Sequence, residues 1–392
     1  MACTGVNVAG PKIANTPITP VTSSTGNFDA VEIDQSNHRI YVADCDHGVD
    51  VFDITTGHAK FLTAIVLPSS PNGLAIAPDL GRLYAGTASG MVEVVDINPA
   101  SPTTGKVIAE VVTGGKEVDL LDYSAARHEL YASNGPDGTI ASIDTKTNAV
   151  VKQIKIGNPL EQPRFNSADG MLYVTAPDAD ALFQIDPSTG AIKNKTTLGN
   201  CKPVGLAINP HADQAVIACD NWTLSWDFRT SIATTFNQAS HGDVVSYDAK
   251  ADRYLVATPG PVTSSAVTIF GGNPIAYVSS VFTGAGEKAA VYDDTNHVVY
   301  TTDLRPNRIG LVSFAVPDAT PTLSSLLTLA PLVALLPLIV LVLIIVGRQA
   351  DPIRRPEPLL TRAQAKQARL ERAGRAQGAS LEGERPHDPS QA

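Results

Sequence analysis

A single pattern recurs about seven times along this chain at a spacing of about 40 residues. Each copy reads as an alternating apolar strand, a polar turn, a second strand often carrying Leu-Tyr or Val-Tyr, another turn, and a third strand ending in Asp before a Thr/Ser/Gly turn. The clearest copies run from Arg39 to Gly57 and from Met171 to Gly190, with others at Arg82–Ile97 and Glu129–Thr145. Blurred copies follow at Gln214–Phe228, Arg253–Phe270 and Val298–Phe314. A four-stranded unit of this size cannot bury both of its faces alone, and stacking copies around an axis covers both. The period therefore predicts an all-β, seven-bladed β-propeller over residues 1–317.

The last copy supplies three strands. The Thr/Val/Ile-rich stretch Ile13–Val21 is the candidate fourth, and Pro17 and Pro20 suit it to an edge position. The Asp at the end of each third strand (Asp53, Asp96, Asp144, Asp186, Asp227) reads as turn chemistry, its carboxylate bonding backbone two residues on. The repeated Tyr (Tyr41, Tyr84, Tyr131, Tyr173, Tyr300) reads as packing between blades.

The wording of the repeats resembles the YVTN family of β-propellers. The matching pieces are Tyr173-Val-Thr, Ile143-Asp-Thr, Pro71-Asn-Gly-Leu-Ala-Ile-Ala-Pro-Asp79 and Val204-Gly-Leu-Ala-Ile-Asn-Pro210, within residues 27–316. That resemblance implies seven blades in an exported or surface protein. It implies no single activity, because propellers host binding modules, lactonases, lyases and haem enzymes.

Leu323–Val346 is a run of 24 residues without a charge. At ~1.5 Å per helical residue it spans a bilayer core of ~30 Å, which predicts one transmembrane helix in a segment covering 318–347. Nine basic residues follow it, among them Arg348, Arg354 and Arg355, against six acids, so the tail 348–392 is expected in the cytoplasm and the propeller outside. Within the tail, Arg362, Lys366, Arg369 and Arg372 fall on one face of an expected helix over 359–377. The first residues lack the basic start and apolar core of a signal peptide, so an outside propeller implies a missing export signal; a cytoplasmic, tail-anchored propeller is the alternative. The whole chain carries −10 and the tail +3, leaving −13 on the first 347 residues, which argues against a nucleic-acid partner.

Four cysteines are present, and Cys201 and Cys219 flank an expected hairpin, where either a disulfide or two buried thiols would fit. No haem-attachment motif or Cys/His zinc spacing occurs. Asn194-Lys-Thr and Asn221-Trp-Thr fit the glycosylation sequon.

Propeller ligands meet the loops at one end of the channel. Counting back from the repeated Tyr puts Asp29, Asn72, Asp119, Glu161 and Asp243 where each innermost strand begins, with Glu287 and Lys288 nearby. Such a ring suits a protein, glycan or small ligand, or a hard cation such as Ca²⁺. Arg164, His241 and Glu287 form an alternative, lactonase- or lyase-like set, with His as base and Arg as oxyanion partner. The expected function is a membrane-anchored, exocytoplasmic binding module; a propeller lactonase or lyase and a scaffold subunit of a membrane complex are the alternatives.

Overall fold

A computed structural model describes residues 11–18, 27–261, 265–306 and 308–316. It contains seven four-stranded antiparallel sheets. In blade 1 the strands are Phe28–Asp34, Arg39–Asp44, Gly48–Asp53 and Lys60–Val66, running from the innermost to the outermost in chain order. Blades 2 to 6 repeat this order, their innermost strands being Pro71–Ala77, Leu121–Ser124, Pro163–Asn166, Pro203–Asn209 and Val245–Asp248. Blade 7 takes Ala290–Asp293, Val298–Asp303 and Gly310–Ala315 from the end of the described chain. Its outermost strand is Ala14–Pro17, paired antiparallel to Gly310–Ala315. The innermost strands pack in sequence around the ring, and that of blade 7 returns to that of blade 1. All-β, seven-bladed architecture is thus the fold.

Local chemistry explains why the pattern folds this way. The second and third strands are covered on both faces and read as continuous apolar runs, such as Ile40, Tyr41, Val42 and Ala43. The outer strands alternate exposed and half-buried residues, as in Lys106–Val112. Each repeated Tyr is buried; Tyr84 and Tyr131 stack on Tyr123 and Phe165 of the next blade, with ring centres 6.4 and 6.1 Å apart, and Tyr173 packs tilted against Phe228 at 4.6 Å. The third-strand aspartates close turns: Thr55, Asn98, Lys146, Ser188 and Thr230 donate backbone N–H groups to Asp53, Asp96, Asp144, Asp186 and Asp227. Innermost strands approach each other closely at Gly73 and Gly205, where an added Cβ would lie 2.0 Å from the Asp119 and Asp243 carbonyl oxygens of the next blade. Cys201 and Cys219 form a disulfide in blade 5, their Cα atoms 5.1 Å apart.

Among the described residues no helix is long and apolar enough to cross a membrane. The apolar run Leu323–Val346 and the basic tail lie outside the described residues.

Candidate functional site

The charged residues of the innermost strands fall in two layers, separated by a buried one that is apolar except for Gln162. At the first layer the chain reaches the channel mouth just before each inner strand. Asp119, Glu161 and Asp243 are held there by one repeated device: their backbone N–H groups donate to the carbonyls of Ser133, Thr175 and Ala257, at 2.8, 3.0 and 2.9 Å. These acceptors occupy the same place in the second strands of blades 3, 4 and 6. A basin of about 920 Å³ results, lined by Asp29, Asn72, Glu117, Asp119, Glu161 and Lys288, with Cys45 and Asp46 at its rim. Four of the five residues expected at the mouth share this basin. Asp243 is enclosed beside it, close enough to feel the charges of Asp29, Glu161 and Lys288.

Carboxylates outnumber cations in the mouth. Lys288 Nζ sits 3.0 Å from Asp29 Oδ2, joining the last blade to the first. Burial works against the Lys288 ammonium, yet Asp29 and Asp243 outweigh it and hold its pKa above the ordinary lysine value. The Asn72 amide donates to Glu117 Oε1 at 3.0 Å and to the Val118 carbonyl at 3.1 Å. Asp119 is pushed well above the usual carboxylate range by burial, then by Glu161, Asp29, Asp243 and Glu117. Glu161 is likewise raised by burial and relieved in part by a hydrogen bond with Asp119. Asp243 is pushed up to about 7 by burial and then by Asp29. Burial and mutual repulsion make these carboxyls easier to protonate, and Lys288 is the lysine that answers them.

One residue further along, Ala30, Leu120, Gln162, Val244 and Ala289 are all buried. Gln162 ties three blades together across this layer. Its Oε1 accepts the N–H groups of Leu206 and Val245 at 2.7 and 3.1 Å, and its Nε2 donates to the Val245 carbonyl at 3.1 Å.

Beyond it, three residues on from Asp29, Asp119 and Glu161, lie Glu32, Asp122 and Arg164. They line a second, smaller cavity of about 290 Å³ together with Ser246 and Tyr247. Arg164 Nη1 donates to the Leu121 and Pro163 carbonyls at 3.0 and 2.9 Å and stands 3.7 Å from Asp122 Oδ1. Asp122 Oδ2 accepts the Phe165 N–H at 2.7 Å. Burial pushes Glu32 up to about 7 and Asp122 up to about 6, against the pull of Arg164.

The alternative set Arg164, His241 and Glu287 is not brought together. Arg164 is three residues too far along its strand to reach the mouth and serves the far cavity instead. His241 is exposed in a left-handed turn with φ 54°, its N–H donating to the Asp220 carbonyl. Glu287 is fully buried and accepts the Thr283 hydroxyl.

A further cluster escaped the sequence reading. Among the described residues, one group of three His, Cys, Asp or Glu side chains converges within 4.8 Å: Asp44, His47 and Asp50 in blade 1. The signal was present as Asp-x-x-His-x-x-Asp, and only the hairpin register reveals that it faces one way.

No family model matches the chain, and no curated protein matches it significantly. Solved structures do match. A chain from a mitotic checkpoint complex superposes with a TM-score of 0.62 at 14% identity, over 78% of this chain and 91% of its own. Kuenenia stuttgartiensis hydrazine synthase gives 0.62 at 16% identity, over 76% and 99%. At such identities the shared property is the propeller fold. The likeness to YVTN repeats rests on the repeat wording alone.

Proposed function

We propose that this propeller is a binding module whose acidic mouth takes a cationic side chain or basic segment of a protein partner. The observation that carries this reading is the imbalance at the mouth: Asp29, Glu117, Asp119, Glu161 and Asp243 face one lysine, Lys288. A guanidinium or ammonium entering the mouth relieves the repulsion among these carboxyls and gains charge-assisted hydrogen bonds in an enclosed setting. One of the fold relatives comes from a complex, which supports a propeller in a binding or scaffolding role. The scattering of Arg164, His241 and Glu287 speaks against the lactonase-like alternative.

The finer reading places this module at a membrane, anchored through Leu323–Val346 with the basic tail inside. The uncharged run and its basic flank support it. The Cys201–Cys219 disulfide supports an oxidising compartment for the propeller, and the repeat wording of exported YVTN proteins agrees.

The binding claim is tested by titrating a fluorescent oligo-lysine peptide into the full chain at low salt. Asp119→Asn combined with Asp243→Asn is expected to weaken binding at least ~10-fold, the loss of one or two charge-assisted contacts. Unchanged affinity in that variant would remove the mouth as the site. Protease protection on intact cells tests the placement: an outside propeller is digested while the tail is spared.

A further inference from the structure

The hairpin joining Arg39–Asp44 to Gly48–Asp53 in blade 1 builds a site unlike its counterparts in the other blades. Asp44 ends its strand opposite Gly48, and Asp50 follows two residues later, so both carboxylates project from one face of the sheet. Gly48 at φ 139° offers no side chain between them, and a Cβ there would lie 2.1 Å from the Ile65 carbonyl oxygen. The turn is drawn tight by Asp44, whose Oδ1 accepts the Asp46 N–H at 3.0 Å and whose carbonyl accepts the His47 N–H at 3.2 Å. His47 is thereby folded back over both acids. Its Nδ1 lies 3.2 Å from Asp44 Oδ2 and its Nε2 3.3 Å from Asp50 Oδ1. Both aspartate side chains are 0% exposed, and the His47 side chain is 21% exposed.

Two carboxylates buried this close oppose each other's ionisation. Asp50 is completely buried beside Asp44. Its Oδ2 is buried and, besides His47, the side-chain neighbour of Asp50 is a second carboxyl, that of Asp44. Only a proton or a cation completes that oxygen. Blade 7 supplies an internal control. Asp303 occupies the place of Asp44 and is equally buried, and there the chain provides a guanidinium: Arg305 Nε and Nη2 reach Asp303 Oδ1 and Oδ2 at 2.8 and 2.6 Å. Blade 1 answers the same buried aspartate with a second carboxylate and an imidazole.

We propose that Asp44, His47 and Asp50 form a binding site for one divalent transition-metal ion of the Zn²⁺ or Mn²⁺ class. The donor set is two carboxylates and one imidazole. It is too poor in oxygen for Ca²⁺, which takes six to eight oxygen ligands, and it suits ions that accept nitrogen and oxygen together. A dication matches the two aspartates in charge. The partly exposed His47 edge gives the ion its way in and leaves room for water as a further ligand. The site lies beneath Cys45 and Asp46 at the rim of the mouth, and an ion there would pin that rim. The trio shares no carboxylate with the mouth.

The test is calorimetric titration of ZnCl₂ and MnCl₂ into the chelator-treated, dialysed full chain, with thermal melts alongside. One ion per chain is expected, at micromolar affinity or better, with a rise in Tm. His47→Ala replaces a partly exposed ring and leaves the buried acids in place. It is expected to lower affinity by at least ~100-fold and to abolish the Tm response, since losing even an outer-shell partner costs 10–100-fold. Asp50→Asn should do the same, while Asp119→Asn with Asp243→Asn should leave the ion affinity unchanged. CaCl₂ should bind at least ~10-fold more weakly than ZnCl₂. The proposal falls if the wild type takes up no ion, if His47→Ala keeps full affinity, or if the mouth variant alone loses it. A metal-independent Tm that drops in His47→Ala would assign the trio to proton sharing, and would equally overturn the proposal.

Discussion

The two ends of the channel both carry buried acids, three residues apart on the same strands, and differ in what answers them. At the mouth, Asp29, Asp119 and Glu161 face a 920 Å³ basin with one lysine at its edge, 37% exposed. At the far end, Glu32 and Asp122 share a 290 Å³ cavity with Arg164, whose side chain is 18% exposed. An arginine fixed by two backbone carbonyls cannot swing away, so the far end is neutralised from within. The mouth keeps its negative excess, tempered by protons that a cation can replace. The contrast separates a structural use of buried charge from a binding use.

Removing Arg164 should give the largest effect. Arg164→Met leaves Glu32 and Asp122 enclosed without a countercharge, at a cost of ~3–5 kcal/mol. Chemical denaturation at pH 7.5 measures it. Adding Glu32→Gln to that variant should restore part of the loss, because one of the two uncompensated charges is gone. A loss below ~1 kcal/mol would mean that both acids are already neutral and that the arginine contributes little.

The pH dependence follows from the same groups. Glu32, Asp122 and Asp243 have folded pKa values of about 7, 6 and 7, above their unfolded values near ~4. The folded chain therefore holds extra protons. Their stabilising effect is complete below pH ~4 and is lost as pH rises through 6 to 7. The turn acids Asp53, Asp96, Asp144, Asp186 and Asp227 are held below the ordinary range and act in the opposite direction, losing their contribution only as pH falls below ~4. Stability should peak near pH ~5 and fall by pH 8, by at most ~3 kcal/mol from Glu32 alone at ~1.4 kcal/mol per pKa unit. Glu32→Gln should flatten this slope and raise stability at pH 8 by ~1–2 kcal/mol. Oligo-lysine binding should run the other way, strengthening from pH 5 to 8 as the mouth acids lose protons. Parallel trends in stability and binding would break the distinction between the two ends.

Much of this was written in the repeat. The five Asp-ended third strands, the Tyr positions and the blurred later copies specify seven blades because period and burial agree. Counting back from the Tyr found Asp29, Asn72, Asp119 and Glu161 because each inner strand begins at the same place. Arg164, a member of the alternative set, is missing from the mouth because three residues of extended chain carry a side chain ~10 Å along the strand and past the buried layer. Glu287 was illegible for another reason: proximity to Lys288 in sequence does not say which of two neighbours turns inward. Asp44, His47 and Asp50 span a hairpin, and their convergence depends on register and on Gly48, neither of which the three letters announce.

Lys288 offers the smallest effect and the sharpest separation of the two roles. Its pair with Asp29 is partly exposed, so Lys288→Ala should cost only ~1 kcal/mol of stability, the upper range for such pairs. The same change removes the one cation that competes for the mouth. Oligo-lysine should then bind a few-fold more tightly, and more so at low salt, where screening is weakest. A structural reading of the mouth predicts loss on both counts, because a looser rim binds nothing better. Stability falling while affinity rises is the signature that these acids are kept for a partner's charge, with Lys288 holding Asp29 in place until it arrives.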